Sequence, residues 1–327
     1  MRMARQTLEI EQRPLGTSDR TIQRIALGCG NFCGIGSAPA FFGQGLSDEQ
    51  AMELMDAAWA MGITHFDTAD AYGGGRSELA IGRWMSTRRL RPTITTKTFN
   101  PMADGADHGL EPERIRRQLD SSLDRLGVDH VELYLAHEFD PDTPVQRTIN
   151  AFETFVTKGD IGAYGVSNFD APQLAAALDA GRPQAIQNSH SLLERADEAD
   201  VLPLCAERDV AYVVFSPLAG GWLTGKYRRG ESFPGGSRMT QRPEPYEKLL
   251  NDRTFNALDQ LNALGRERNT SMAGVALAWL LADDRIAQVV VGPGRPEHLE
   301  PVREAIQNPL SNDERAWLDT IFHLCES

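Results

Sequence analysis

Thr93-Ile94-Thr95-Thr96-Lys97, an amphipathic stretch from Glu113 to Leu126, then Val131-Glu132-Leu133-Tyr134-Leu135-Ala136: these segments read as strand, helix and strand. The helical stretch places Ile115, Leu119, Ser122, Leu123 and Leu126 on one face. Two strands joined through a helix of this length run parallel, because a tight turn cannot return the chain to the same end.

The same rhythm extends in both directions. Further strand-like runs are Ile25-Ala26-Leu27-Gly28, His65-Phe66-Asp67-Thr68 and Gly162-Ala163-Tyr164-Gly165-Val166-Ser167. Gln184-Ala185-Ile186-Gln187, Ala211-Tyr212-Val213-Val214-Phe215 and Gln288-Val289-Val290-Val291 bring the number to eight. Ser47-Asp48-Glu49-Gln50 has the capping residue and acidic first turn of a helix start, and Ala51, Leu54, Met55 and Ala58 follow at helical spacing. Segments 144–158, 171–180, 198–208 and 271–282 also read as helices. Eight β-α units imply an α/β fold, a closed (β/α)8 TIM barrel. A doubly wound parallel sheet is the alternative, since periodicity does not show closure. Residues 5–24 predict an N-terminal β-hairpin around Pro14-Leu15-Gly16-Thr17, and residues 226–250, rich in Gly, Pro, Arg and Ser, predict a long loop after strand 7. No shift in composition divides the chain, so one barrel domain is expected over residues 1–327.

The 327 residues carry a formal charge of -13, which argues against broad nucleic-acid binding. No run of about 18 apolar residues suggests a membrane span. The start, Met1-Arg2-Met3-Ala4-Arg5-Gln6, lacks the apolar core of a secretory signal. Cys29, Cys33, Cys205 and Cys325 do not form a disulfide framework and are expected as reduced thiols. A soluble, cytoplasmic protein is the expectation.

A barrel of this kind presents its chemistry at the C-terminal ends of its strands. Asp67 ends strand two, with Tyr72 in the next loop; Lys97 ends strand three and His137 follows strand four. An ammonium beside a tyrosine favours the phenolate, so Lys97 is expected to lower the pKa of Tyr72. Asp67 keeps Lys97 charged, and His137 can donate to a substrate oxygen. Such a set can protonate a carbonyl oxygen while hydride arrives at carbon, and hydride requires a nicotinamide cofactor.

Gly62-Ile63-Thr64-His65-Phe66-Asp67-Thr68-Ala69-Asp70-Ala71-Tyr72-Gly73, closing with Ser77-Glu78-Leu79-Ala80-Ile81-Gly82, resembles the aldo-keto reductase signature. The spacings agree: Tyr72 is five after Asp67, Lys97 is 25 after Tyr72 and His137 is 40 after Lys97. Gly165-Val166-Ser167-Asn168-Phe169 and the run from Phe215 to Tyr227 extend the resemblance across nearly the whole chain. The Gly73-Gly74-Gly75-Arg76 loop and the 226–250 stretch resemble the branch with bacterial reductases and potassium-channel beta subunits.

The resemblance implies an NADP-dependent oxidoreductase that transfers hydride reversibly between cofactor and the carbonyl of an aldehyde or ketone. Tyr72 is the implied acid, assisted by Lys97, Asp67 and His137. Asn31 is expected to border the nicotinamide, with Ser167, Asn168 and Gln187 holding its carboxamide and Phe215 stacking on the ring. Ser216, Pro217, Leu218 and Gly220 continue the cofactor site. Lys226, Arg238 and Arg295 are candidates for the 2′-phosphate that distinguishes NADP from NAD. Gly292 and Gly294 lead into Arg295, and the 226–250 loop is expected to cover the pyrophosphate. Where relatives often carry Gln-Leu-x-Glu-Asn, this chain has His298-Leu299-Glu300-Pro301-Val302. His298 can replace the Gln, but Pro301 and Val302 cannot replace Glu and Asn, so NADPH is expected with NADH also possible. Phe32, Phe99, His190 and Trp222 are candidate substrate-pocket walls, and a small carbonyl compound is the expected partner.

Two other readings are weaker. Gly220-Gly221-Trp222-Leu223-Thr224-Gly225-Lys226 matches the spacing of a phosphate-binding loop, but Tyr227 stands where a magnesium-holding Ser or Thr is required. No histidine spacing points to a metal. A cofactor-binding, redox-sensing subunit resembling the channel beta subunits is the non-enzymatic alternative, since it would carry the same four residues.

Overall fold

A computed structural model describes residues 7–323 of the chain. Strands β1 (Gln12–Pro14) and β2 (Thr21–Gln23) pair as an antiparallel hairpin. Eight parallel strands follow: β3 (Ile25–Gly28), β4 (His65–Asp67), β5 (Thr93–Thr98), β6 (Val131–Ala136), β7 (Ile161–Ser167), β8 (Ala185–Ser189), β9 (Ala211–Phe215) and β10 (Ile286–Val291). β10 pairs with β3, so the sheet is a closed barrel and the doubly wound alternative falls.

Around it run α1 (Asp48–Met61), α2 (Arg76–Arg88), α3 (Pro112–Leu126), α4 (Val145–Lys158), α5 (Ala171–Ala180) and α6 (Val201–Glu207). They continue with α7 (Arg238–Gln241), α8 (Asp252–Glu267), α9 (Met272–Leu281), α10 (Glu300–Gln307) and α11 (Asn312–His323). Ser47 and Gln50 form a capping box at the start of α1, and Ala51, Leu54, Met55 and Ala58 are buried as their spacing predicts. α6 starts at Val201, later than the predicted 198, because the Asp200 side chain caps the Val201 N–H outside helical geometry.

Strand alternation sorts the core into two sets. Ala26, Leu133, Leu135, Ala163, Ala185, Ala211, Val213 and Val290 pack inside the barrel, and Leu15 and Ile22 of the hairpin close its lower end. Phe66, Ile94, Tyr134, Val166, Ile186, Tyr212 and Val214 face the helices. The inward set continues upward into the polar residues. Lys97 pairs in register with inward Leu135, and Gln187 pairs with Val213. The period that fills the core therefore also delivers a lysine and an amide to the top of the barrel.

The 226–250 stretch is a partly ordered excursion, with α7 and a 3₁₀ turn at Glu244–Leu249. The Tyr246 ring rests on Gly220, where a Cβ would come within 2.3 Å of it. Only glycine suits this position, which also has φ +61°. The Arg242 guanidinium lies 5.9 Å from the Phe41 ring centroid, so the excursion reaches from the end of β9 to the loop after β3. Cys29, Cys33 and Cys205 are buried and free; Cys325 lies outside the described residues. Among the described residues, no helix is long and apolar enough to cross a membrane.

Candidate active site

Lys97 is fully buried at the inner end of β5. Its Nζ donates to Asp67 Oδ1 at 2.6 Å and to the Thr68 carbonyl at 2.8 Å. The ammonium lies 5.2 Å from the centroid of the Tyr72 ring. Tyr72 meets His137 edge-on, ring centroids 5.6 Å apart. The turn that presents Tyr72 continues through Gly73 at φ +59°, where a Cβ would stand 2.8 Å from the Phe32 carbonyl oxygen. The four residues predicted from three strand ends thus converge on one spot.

Burial decides their ionisation. It pulls Lys97 down, but Asp67 and Tyr72 outweigh it and hold the ammonium above its ordinary value. Burial raises Tyr72, and the opposing pull of Lys97 does not cancel it. The expected pull of Lys97 is present, but burial outweighs it and the net shift is upward, which favours the protonated phenol. Burial and Lys97 both keep His137 neutral, well below its ordinary value.

The predicted nicotinamide contacts are partly in use within the protein. Gln187 Nε2 donates to Asp67 Oδ2 at 2.7 Å, a bond the sequence did not suggest. Ser167 Oγ donates to the Gln187 carbonyl at 2.7 Å. Asn168 is exposed, with left-handed backbone at φ +58°, and its Nδ2 donates to the His137 carbonyl at 2.9 Å. Asn188 has no role in the sequence reading, yet its Oδ1 accepts from the Asn168 N–H at 2.8 Å. Its Nδ2 donates to Asp197 at 2.7 Å, which also accepts from Tyr212. This chain secures the Asn168 backbone and, through it, the His137 carbonyl.

Asn31 donates to the Pro293 carbonyl at 2.8 Å, leaving its buried Oδ1 without a partner. Phe215, Ser216, Leu218 and Gly220 are partly exposed, whereas Pro217 is buried. Gly292 and Gly294 are exposed, and a Cβ on Gly292 would meet open space. Arg295 Nε donates to His298 Nε2 at 2.9 Å. The ring proton of neutral His298 then sits on Nδ1, so the 3.3 Å approach of the Gly294 N–H to that atom is not a bond in this tautomer. Burial, then Arg295 and Lys226, lowers His298, which places these three side chains within electrostatic reach of one another. Arg238 stands apart, half-buried near Tyr246, Arg242 and Tyr227.

Three predicted pocket walls are core residues instead. Phe32, His190 and Trp222 are each 0 % exposed. Phe32 bridges to Leu46, His190 packs against Trp279 and Tyr212, and Trp222 packs against Tyr227 and Phe255. None presents surface to a ligand. Phe99 is half-buried beside His108.

Behind the site lies a carboxyl group that the sequence motif contains but to which no role was given. Asp70 is fully buried beside Glu78, the Thr98 hydroxyl and the Tyr134 hydroxyl, with no cation among the described residues paired to its carboxyl. Its backbone N–H donates to the Lys97 carbonyl at 3.0 Å. Burial, reinforced by Glu78, pushes its carboxyl up to about 7. The folded state thus binds a proton that the unfolded chain releases near pH 4, and this contribution to stability is full below about 4 and lost as pH rises through 7. Asp70→Asn should stabilise the protein by roughly 2 kcal/mol near pH 8 and change little near pH 4. Chemical denaturation at both pH values checks this; an equal effect at both would refute a protonated Asp70.

A family model described as Aldo/keto reductase family matches residues 26–322. The NADH-specific methylglyoxal reductase of Escherichia coli is 31% identical, covering 91% of this chain and 94% of that protein. A probable voltage-gated potassium channel subunit beta of rice, Oryza sativa, is 30% identical over 86% of this chain and 87% of that one. Among solved structures, a glycerol dehydrogenase from Gluconobacter oxydans superposes with a TM-score of 0.80 at 26% identity, covering 98% of this chain and 96% of that one.

Proposed function

The chain belongs to the aldo/keto reductase family, and on that premise we propose that it is an NADPH-dependent, reversible carbonyl reductase of aldehydes or ketones that also accepts NADH. The observation that carries this reading is the convergence of a protonated Tyr72, a buried Lys97–Asp67 ion pair and a neutral His137. The bound nicotinamide cofactor would supply the hydride. Tyr72 gives its Oη proton to the substrate oxygen. Lys97 stabilises the phenolate this leaves, and Asp67 keeps Lys97 charged and aimed. Neutral His137 donates a hydrogen bond to the same oxygen. In the oxidative direction Tyr72 takes the proton back.

The residues present suit the cofactor. The unpartnered Asn31 Oδ1 and the exposed Asn168 carboxamide offer hydrogen bonds to a nicotinamide carboxamide. The Lys226–Arg295–His298 group, beside the open Gly292, suits the 2′-phosphate. Arg238, within the 226–250 excursion, would act on a different part of the cofactor. The same reading has one (β/α)8 domain working in the cytoplasm on a small carbonyl compound.

The test is a fluorescence titration with NADPH and NADH, followed by a carbonyl panel. Binding of NADPH, with oxidation by at least one carbonyl, is expected. Arg295→Ala should weaken NADPH about tenfold more than NADH. Equal losses would assign Arg295 to the pyrophosphate or to structure. Binding without turnover across the panel would favour the non-enzymatic subunit, and no binding of either nucleotide would end the reading.

A further inference from the structure

Glu138 follows His137 at the C-terminal end of β6, on the rim of the site, and is half-buried. Its carboxyl oxygen Oε1 accepts a 3.4 Å hydrogen bond from Asn168 Nδ2, the same amide that holds the His137 carbonyl. Among the described residues no ion pair to Glu138 forms. Burial alone pushes the Glu138 carboxyl up to about 7, with no neighbouring charge contributing. A carboxylate in this state gains from a hydroxyl donor brought to it and loses from any second negative charge.

We propose that Glu138 sets the substrate class of this site: an uncharged hydroxy-aldehyde or hydroxy-ketone whose hydroxyl donates to Glu138, with phosphorylated and carboxylated carbonyls turned away. The proposal rests on the reductase reading above. Asn168 Nδ2 holds both the His137 carbonyl and Glu138 Oε1, so the Glu138 carboxyl stands beside the exposed Asn168 carboxamide at the mouth of the barrel. At that place a neutral hydroxyl gains a hydrogen bond from the carboxylate, and a phosphate meets its charge.

The matched probes are glyceraldehyde and glyceraldehyde 3-phosphate, each assayed with NADPH at low ionic strength and a pH well above 7. The wild-type protein should favour the neutral aldehyde in kcat/KM by at least about tenfold. E138Q should change the two substrates in opposite directions. The phosphorylated aldehyde should gain about tenfold, and the neutral one should lose a few fold, because an amide oxygen accepts a weaker hydrogen bond. General damage cannot produce that crossing. Parallel changes, or a wild-type preference for the phosphate ester, would overturn the proposal. If E138Q does not fold, the wild-type preference for the neutral aldehyde should shrink in about 0.5 M salt, and a salt-independent ratio overturns the proposal equally. Reduction of other carbonyls with neither probe turned over removes the hydroxy-carbonyl class alone. No turnover with any carbonyl removes the reductase reading, and this proposal with it.

Discussion

Tyr72→Phe should lower carbonyl reduction by about a thousandfold while leaving NADPH affinity nearly unchanged. The substitution removes only the hydroxyl. The ring keeps its edge contact with His137 and its seat over Gly30, so the shape of the site survives. What is lost is the one proton this arrangement holds ready. Because burial raises Tyr72, the acid form persists past neutrality, and reduction by the wild-type protein should fall only at alkaline pH. A pH profile of kcat, measured beside the variant, reads both effects. Near wild-type reduction by the variant would assign the proton to another group.

Lys97→Met should destabilise the fold by about 3–5 kcal/mol, because it leaves the Asp67 carboxylate buried without its cation. Lys97 and Asp67 side chains are 0% and 4% exposed, so water offers little compensation. The double variant Lys97→Met with Asp67→Asn should recover most of that stability and none of the activity. Urea unfolding of the three proteins separates the two effects. If Lys97→Met unfolded at the same urea concentration as wild type, the pair would carry no folding energy, and its burial would need another explanation. Gln187 adds a check, since its bond to Asp67 Oδ2 remains when Lys97 is gone and should soften the loss.

The barrel was legible because its strands differ chemically from what surrounds them. Ile25–Gly28, Val131–Ala136 and Ala211–Phe215 begin and end where the apolar runs do. The sequence reading did not anticipate α2, α8 or α11. Their exposed faces are crowded with Arg, Asp and Asn, and α2 carries Gly82 mid-helix, which weakens a periodicity argument. Asn251 before α8 was the available signal: its side chain caps the Thr254 N–H. The proton-transfer residues were legible because each lies at or just after a strand end, at matching spacing. The pocket walls were not, because an aromatic side chain reads the same whether it lines a cleft or fills a core. Phe32 and Trp222 were resolved only by their neighbours. The raised Tyr72 and Asp70 were equally hidden, since desolvation depends on what other elements bring to cover a group.

The pairing of β3 with β10 joins residues 25–27 to residues 289–291. Arg24 reinforces it, donating to the carbonyls of Leu281 and Asp283, and Arg13 reaches Asp284. During synthesis the first strand must therefore wait for the last. At about 5–20 residues per second the intervening chain takes on the order of tens of seconds to emerge. Through that interval β3 has one open edge, and the alanine- and leucine-lined interior is not yet sealed. The seam between the two ends of the chain is thus the step on which a ribosome-bound intermediate is most open to association with other chains.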